Sequence, residues 1–422
     1  DFASQVVRAI HVGFLMLLTF PLVALARKSG PAVKALAWIM AGLGVVVALY
    51  QWYEYTELLL RAGDPLARDI VLGVIALGTV FAAAWVIMGP ALPIISGAFL
   101  AYCLFGEYLP APFDHRGYDF AQVIDHMAYG TEGIYGIPVF VSSSFIFLFI
   151  LFGSFLEKAG MIQLFTDVSL GLVGHKRGGA AKVSVISSGL MGTISGSGVA
   201  NVVTTGPLTI PLIKRVGYPA EKAAAIEVAA SVNGQVMPPV MGAAAFLMVE
   251  YVGVPYVQVL KHALISALVS YLGLMYIVHL EAVKANMRGL PRRHSPRWQR
   301  TLANISLGVI GLAGTLAFVT VAGAAVHAVL PQISFAVVAV LMLAAYVVLL
   351  RISAPHIRSD DSADAPITAL PAFGPTLRSG LHFLLPVGAL VWNLVIEQLS
   401  PTRAAFWAVL FLVLSTDPDD PD

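Results

Sequence analysis

The stretch that decides the fold is Gly192 to Pro207, GTISGSGVANVVTTGP, set inside an otherwise apolar run from Val183 to Ile213. Ser195, Ser197, Asn201, Thr204 and Thr205 supply neutral oxygens, while Gly192, Gly196, Gly198 and Gly206 let the backbone unwind and expose carbonyls. Unwound backbone at membrane depth persists only where it lines a cavity or is buried in protein. A half-helix starting near Asn201 would aim its N-terminal amides at an anion, and the carbonyls ending the preceding half-helix would suit a bare cation such as Na+. Small residues three and four apart also serve plain close packing of helices. Composition leaves both readings open.

The next stretch, Glu227 to Gly242, EVAASVNGQVMPPVMG, has a helical pattern interrupted at Asn233-Gly234 and stopped at Pro238-Pro239. A double proline removes backbone donors and leaves carbonyls unpaired, and Ser231, Asn233 and Gln235 are placed to complete a polar site facing the first stretch. Glu227 is the carboxylate here that the helix carries below the surface. Two readings of it stand side by side: an intramembrane functional acid, or a partner for Lys222 or Lys214. Two broken segments joined by a short basic loop, Lys214 to Lys222, match what a midplane binding site in a transporter requires.

Outward from these segments the chain is strongly apolar. Of its 422 residues 58% are hydrophobic and 12% charged, against roughly 25% charged in a soluble domain, which excludes a soluble enzyme, a nucleic-acid binder and a disordered chain. Apolar runs at about Ala9 to Ala26, Ala35 to Tyr50, Ile70 to Met88, Ala91 to Phe105, Pro138 to Leu156, Ala223 to Val249, Val257 to Leu280, Leu302 to Leu330, Ile333 to Leu350, Leu377 to Ile396 and Ala404 to Leu414 read as membrane segments. Met161 to Val173, short and carrying Gln163, Thr166 and Asp167, reads as a helix along the membrane surface. Treating Val183 to Ile213 as a re-entrant hairpin places 19 Lys and Arg on one side and 6 on the other, so the first side is cytoplasmic. A full crossing would put Lys214, Arg215, Lys222 and the cluster Lys284 to Arg300 outside.

The remaining polar features carry less chemistry. The loop Gly106 to Gly136 holds Asp114, His115, Asp119, Asp125, His126 and Glu132 without metal-ligand spacing and reads as a solvated external loop. Ser353 to Pro375 reads as a cytoplasmic linker. Trp52, Tyr53, Tyr55, Tyr102 and Tyr108 read as an interfacial belt, and His262, His279 and Glu281 as wet positions near span ends. A single cysteine, Cys103, excludes an intrachain disulfide and a cysteine metal cluster. No G-x-S-x-G elbow or catalytic carboxylate pair supports an intramembrane hydrolase, and no signal peptide is expected.

The stretches FLFILFGSFLEKAG (Phe147 to Gly160), GHKRGGAAKVSVISSGLMGTISGSGVANVVTTG (Gly174 to Gly206), TIPLIKRVGYPAEKAAAIEVAASVNGQVMPPVMGAAAFLMVEYVGV (Thr209 to Val254) and HLEAVKANMRGL (His279 to Leu290) resemble the large permease of tripartite ATP-independent periplasmic (TRAP) transporters. The resemblance, over about Tyr50 to Leu290, is to the form with small and large membrane subunits fused, served by TAXI-type binding proteins. It implies a sodium-coupled elevator in the inner membrane, to which a periplasmic protein delivers an organic acid. It also implies two inverted repeats, each with a hairpin and a broken helix. Carried over by position, Gly192 to Pro207 becomes the first hairpin tip and Ser231 to Pro239 the unwound part of the first broken helix. Ser195, Ser197, Asn201, Ser231 and Asn233 then form the polar wall around Na+ and substrate, Thr204, Thr205 and Gln235 stand beside it, and Gly234 and Met237 add carbonyls. The Na+ candidates are Ser195, Asn201, Ser231 and Asn233.

Two departures from the family pattern stand out. Asn233 occupies a position where the family tends to have a small residue. The second hairpin motif and second T-P-P break are not found after Leu414, where the chain closes with STDPDDPD.

The expectation is therefore an all-α polytopic membrane protein of elevator type, with a re-entrant hairpin, broken helices and its second inverted repeat missing, as in a truncated product of a longer parent. Its expected parts are a small-subunit-like region, 1–136, a first large-subunit repeat, 137–300, and further spans with the start of a second half, 301–422. The expected function is secondary active import of carboxylates or amino acids, with Na+ as coupling ion, no other cofactor, no catalysis and no nucleic-acid partner. The alternative is a non-transporting scaffold that only docks the periplasmic protein.

Overall fold

The computed structural model describes residues 2–290, 334–353, 370–395 and 398–415, with single positions at 306, 314 and 321. Nearly all of the expected span Leu302 to Leu330, most of the linker Ser353 to Pro375, residues 291–300 of the basic cluster and nearly all of the closing STDPDDPD lie outside the described residues.

All described elements are helical. Among the described residues, six segments are long and apolar enough to cross a membrane: Ser4–Ala26, Pro31–Tyr53, Ala67–Met88, Ala91–Tyr108, Ile137–Lys158 and Tyr256–Lys284. Their outward faces are as apolar as a core: Leu264, Ile265, Leu268, Val269, Leu272 and Ile277 all stand exposed on the last of them. Patches of that size are tolerated where lipid, rather than water, is the solvent.

Contacts divide the chain into two compact units, Asp1–Ser144 and Phe145–Asp422. In the first, α1 (Ser4–Ala26), α2 (Pro31–Tyr53), the short α3 (Tyr55–Leu60), α4 (Ala67–Met88), α5 (Ala91–Phe105) and α6 (Phe120–Tyr129) follow in order. Pro31 starts α2 at a position where its missing N–H is lost to the helix anyway. The loop expected to be merely solvated contains α6, which is opened by a capping box between Asp119 and Gln122 and buries Val123, Ile124, Ala128 and Tyr129. The helix forms because its apolar residues recur at helical spacing, a period hidden among the Asp and His residues.

At one end of this unit Asp69 is fully buried. Its carboxylate accepts from Arg61 Nε at 2.8 Å, from Leu66 N at 2.9 Å and from the Tyr50 hydroxyl. Arg61 also reaches Glu54 at 3.0 Å, so the buried charge is paired as its burial demands. Nearby, burial raises the Tyr129 hydroxyl above its ordinary pKa, and that hydroxyl donates to the Asp69 carbonyl at 2.7 Å.

After α7 (Ile137–Val141) the helix widens into a π-turn over Ser142–Ile146 and resumes as α8 (Phe147–Lys158). The second unit continues with α9 (Met161–Val173), α10 (Gly179–Ser195), α11 (Gly198–Arg215), α12 (Ala220–Asn233), a 3₁₀ turn at Gly234–Val236, α13 (Ala243–Val252) and α14 (Tyr256–Lys284). Further helices cover Ser334–Ser353, Phe373–Ser379, Leu381–Val395 and Pro401–Ser415. The helix expected to lie on the membrane surface, α9, buries Met161, Leu164, Phe165, Thr166, Ser169, Leu170 and Val173, and its Thr166 hydroxyl shares a hydrogen bond with Ser187 of α10 at 3.2 Å.

Candidate functional site

Helix α10 ends because Gly196 takes a left-handed conformation, φ +60°, with its N–H returning to Gly192 O at 3.4 Å. Helix α11 begins one residue later, with Ser197 as N-cap accepting from Ala200 N at 3.2 Å. The chain thus reverses over Gly196 and Ser197, and the two helices run antiparallel: Ser188 faces Thr205, at 3.3 Å between hydroxyls, one turn from where Ser184 and Thr209 share a carboxylate oxygen. Pro207 and Pro211 leave α11 intact but give it two missing donors.

The interruption expected at Asn233-Gly234 is present, but of the stretch Ser231 to Pro239 expected to be unwound, Ser231 to Asn233 remain helical. Helix α12 stops at Asn233, the 3₁₀ turn follows, and Val240 N donates back to Thr193 O of the hairpin at 3.3 Å. Two carbonyls of the interrupted segment are met from α14: the buried Tyr256 hydroxyl lies 2.6 Å from Pro239 O and 3.1 Å from Val240 O. Tyr271 likewise donates to Ala230 O at 2.8 Å.

The expected site residues fall into separate groups. Ser195, Ser197 and Gln235 line a cavity of about 310 Å³ together with Gly196, Gly198, Met241 and the aromatic wall of Phe149 and Phe246. Phe246 stacks on Tyr256 with ring centroids 4.9 Å apart. The Ser195 hydroxyl lies 3.4 Å from Ser197 O and 3.3 Å from Ser197 N, contacts that hold the tip turn. Asn201, Thr205 and Ser231 are instead fully buried behind the tip. Asn201 Nδ2 donates to Ser188 O at 2.9 Å, locking one hairpin arm to the other. Thr204 spends its hydroxyl on Ala200 O at 3.0 Å, within its own helix. Asn233 is half-buried, Gly234 packs against Gly192, and Met237 sits beside the apolar core of the hairpin.

What binds Thr205 and Ser231 together is Glu227. Its carboxylate is fully buried and accepts five hydroxyls: Ser184 at 2.5 Å, Thr209 at 2.6 Å, Ser188 and Ser231 at 3.1 Å each, and Thr205. Five hydroxyls surround its two oxygens, so the buried carboxyl group is fully hydrogen-bonded by neutral side chains from three helices. Neither lysine suggested by the sequence reaches it, since Lys222 pairs with Glu281. His279, expected to be wet, takes Lys182 Nζ on its Nδ1 at 3.0 Å.

Sequence reasoning therefore singled out Glu227 without its partners and passed over Ser184, Ser188, Thr209, Tyr256 and Tyr271. A signal was present: Ser184 and Ser188, Thr205 and Thr209, and Glu227 and Ser231 are each four apart, so each pair occupies one face of its helix.

The arrangement is a hairpin and a broken helix fused into one polar-cored body, with a small cavity at the hairpin tip. Residues 75–347 match the family described as "Tripartite ATP-independent periplasmic transporter, DctM component". Among curated proteins, the chain is 34% identical over 91 residues to a putative TRAP transporter large permease protein of Haemophilus influenzae, covering 22% of this chain and 21% of that protein. It is 31% identical over 91 residues to the 2,3-diketo-L-gulonate TRAP transporter large permease protein of Escherichia coli, with the same coverage. It is 30% identical over 190 residues, 43% of each chain, to the C4-dicarboxylate TRAP transporter large permease protein of Pseudomonas aeruginosa. The matched stretches thus span less than half the length of these relatives. With its family match and its apolar helices, this multi-pass inner-membrane chain belongs to the DctM-component family of tripartite ATP-independent periplasmic transporters.

Proposed function

We propose that the chain is the membrane part of a secondary transporter that imports organic acids, carboxylates or amino acids, on a sodium gradient. The observation that carries this reading is the convergence of the hairpin tip and the segment after the broken helix on one cavity, lined by Ser195, Ser197 and Gln235. Hydroxyls, an amide and unwound carbonyls form a neutral hard-oxygen set, which suits a bare monovalent cation, while the amides opening α11 suit an anionic group. Phe149 and Phe246 give the cavity an apolar wall for the carbon skeleton of a small acid. The names of two relatives, for 2,3-diketo-L-gulonate and C4-dicarboxylates, are both those of organic acids.

In this reading the hairpin and the broken helix travel as one body, in elevator fashion. The five hydroxyl bonds to Glu227 from α10, α11 and α12 support it, since relative sliding of these helices would strand a buried charge. Residues 1–136 correspond to a small membrane subunit and residues 137–300 to the first large-subunit repeat. The partner is a periplasmic binding protein, of TAXI type, which performs most of the substrate selection. The work of such a protein is translocation, with no bond made or broken.

Uptake of labelled organic acids into proteoliposomes tests the proposal, using the protein with its matching binding protein. Uptake that rises with an inward Na+ gradient is expected. Uptake indifferent to that gradient would sink the sodium coupling, and none with any acid would return the reading to a docking scaffold.

A further inference from the structure

The first unit holds its own cavity, of about 790 Å³, bounded by the start of α1, the ends of α2 and α5, and helices α3 and α6. That volume is far beyond one water, whose share of liquid is about 30 Å³, and within the range of small-ligand sites. Gln51 of α2 lines it, is 1% exposed, and its side-chain oxygen finds no donor among the described residues. A buried amide oxygen without a donor is costly, so the cavity is built for something that brings an N–H or O–H.

The rest of the wall narrows the chemistry. Asp125 and Arg116 place one carboxylate and one guanidinium on the same cavity, while Leu58 and Leu100 form apolar surface. One Asp125 oxygen is already used by Gly63 N at 2.8 Å, which leaves the other for a cation. His126, also on the wall, is turned toward Glu132 at 3.5 Å. A ligand that offers a donating cation, an anion and an apolar part fits all three surfaces. The cavity sits at the ends of helices long and apolar enough to span a bilayer, which is where lipid headgroups would lie.

We propose that this cavity binds the headgroup of a phospholipid carrying a primary amine. The ammonium meets Gln51 Oε1 and Asp125, the phosphate meets Arg116, and an acyl chain follows Leu58 and Leu100. A choline headgroup has a cation but no N–H, so it leaves Gln51 unsatisfied. A soluble amine supplies the same donor without the apolar anchor, and the experiment separates the two sources.

Cys103 lines the cavity and is the only cysteine in the sequence, so its alkylation by N-ethylmaleimide reports occupancy. The chain is placed in nanodiscs of phosphatidylethanolamine or phosphatidylcholine with identical acyl chains. Alkylation is expected to be roughly tenfold slower in the ethanolamine lipid, the scale of one charge-assisted hydrogen bond. Gln51→Leu is expected to abolish the difference and Gln51→Glu to keep it. Free ethanolamine added to choline discs is expected to give no protection. Equal rates in the two lipids would overturn the proposal, and so would a difference that survives in Gln51→Leu. Protection by free ethanolamine matching that of the lipid would assign the site to soluble amines instead. Should Gln51→Leu fail to fold, Arg116→Gln, an exposed position, serves in its place: reduced protection is expected, and unchanged protection counts against the phosphate contact and the lipid assignment.

Discussion

Gly192 and Gly234 meet backbone to backbone: a Cβ on Gly192 would lie 2.4 Å from the Gly234 Cα. The contact joins the first hairpin arm to the turn that breaks α12, and neither side is a flexible side chain able to yield. Gly192→Ala is therefore expected to cost about 1 to 3 kcal/mol through overpacking. Gly273→Ala on α14, where an added Cβ meets nothing within 4 Å, is expected to be neutral or slightly stabilising. Thermal unfolding in detergent checks the pair, and an equal Tm for both would remove the close contact.

Glu227→Gln should lower stability by about 2 to 3 kcal/mol, because several charge-assisted hydrogen bonds weaken and the amide NH2 brings donors into a cage of donors. The exposed pair Lys222 and Glu281 provides the contrast, since Lys222→Ala should cost no more than about 1 kcal/mol. Comparable losses for the two variants, measured by urea or thermal unfolding, would deny Glu227 its central place in the hairpin core.

Ser195 and Asn201 should fail in different ways. Ser195 bonds only within the tip turn and faces the cavity, so Ser195→Ala should reduce uptake while leaving Tm nearly unchanged. Asn201→Ala strips Ser188 O of its side-chain donor inside the core and should cost about 1 to 3 kcal/mol, lowering the yield of folded protein along with uptake. Parallel measurement of Tm and of uptake per folded molecule separates them, and a stable, inactive Asn201→Ala would move that residue into the binding wall.

Asp69→Asn weakens the pair between the buried Asp69 and the partly exposed Arg61. Arg61 keeps Glu54 as a partner, so the loss is that of a buried hydrogen-bonded carboxylate, about 1 to 3 kcal/mol, and this variant should unfold earlier than Arg68→Ala, whose side chain is half exposed. Unfolding followed by Trp fluorescence would decide, with equal effects counting against the buried network.

Much of this architecture was legible because its causes are local. Glycine density between Gly192 and Gly206 and the Pro238-Pro239 pair fix where helices must end, whatever surrounds them. The division of labour among polar residues was not legible. Asn201 and Ser195 look equivalent in the sequence, yet helix rotation turns one into the core and leaves the other at the tip. The partners of Glu227 come from three helices up to 43 residues away, and only the i, i+4 spacing of the hydroxyls hinted at them. Tyr256 and Tyr271 were hidden for the same reason, since a tyrosine that caps a distant carbonyl carries no local mark.

The cage around Glu227 also has an electrical side. Its donors are neutral hydroxyls, and among the described residues no cationic side chain bonds to the carboxylate. In the elevator reading proposed above, a body that carried this residue ionised in its core would move a negative charge through the membrane field. Carried across the whole field, one charge exchanges about 2.3 kcal/mol per 100 mV, and a partial displacement exchanges the corresponding fraction. In that reading, membrane voltage would then bias which side the body faces even before any ion binds, with Glu227 one contribution to that bias beside the charges Lys182, Lys214 and Arg215 on the same helices.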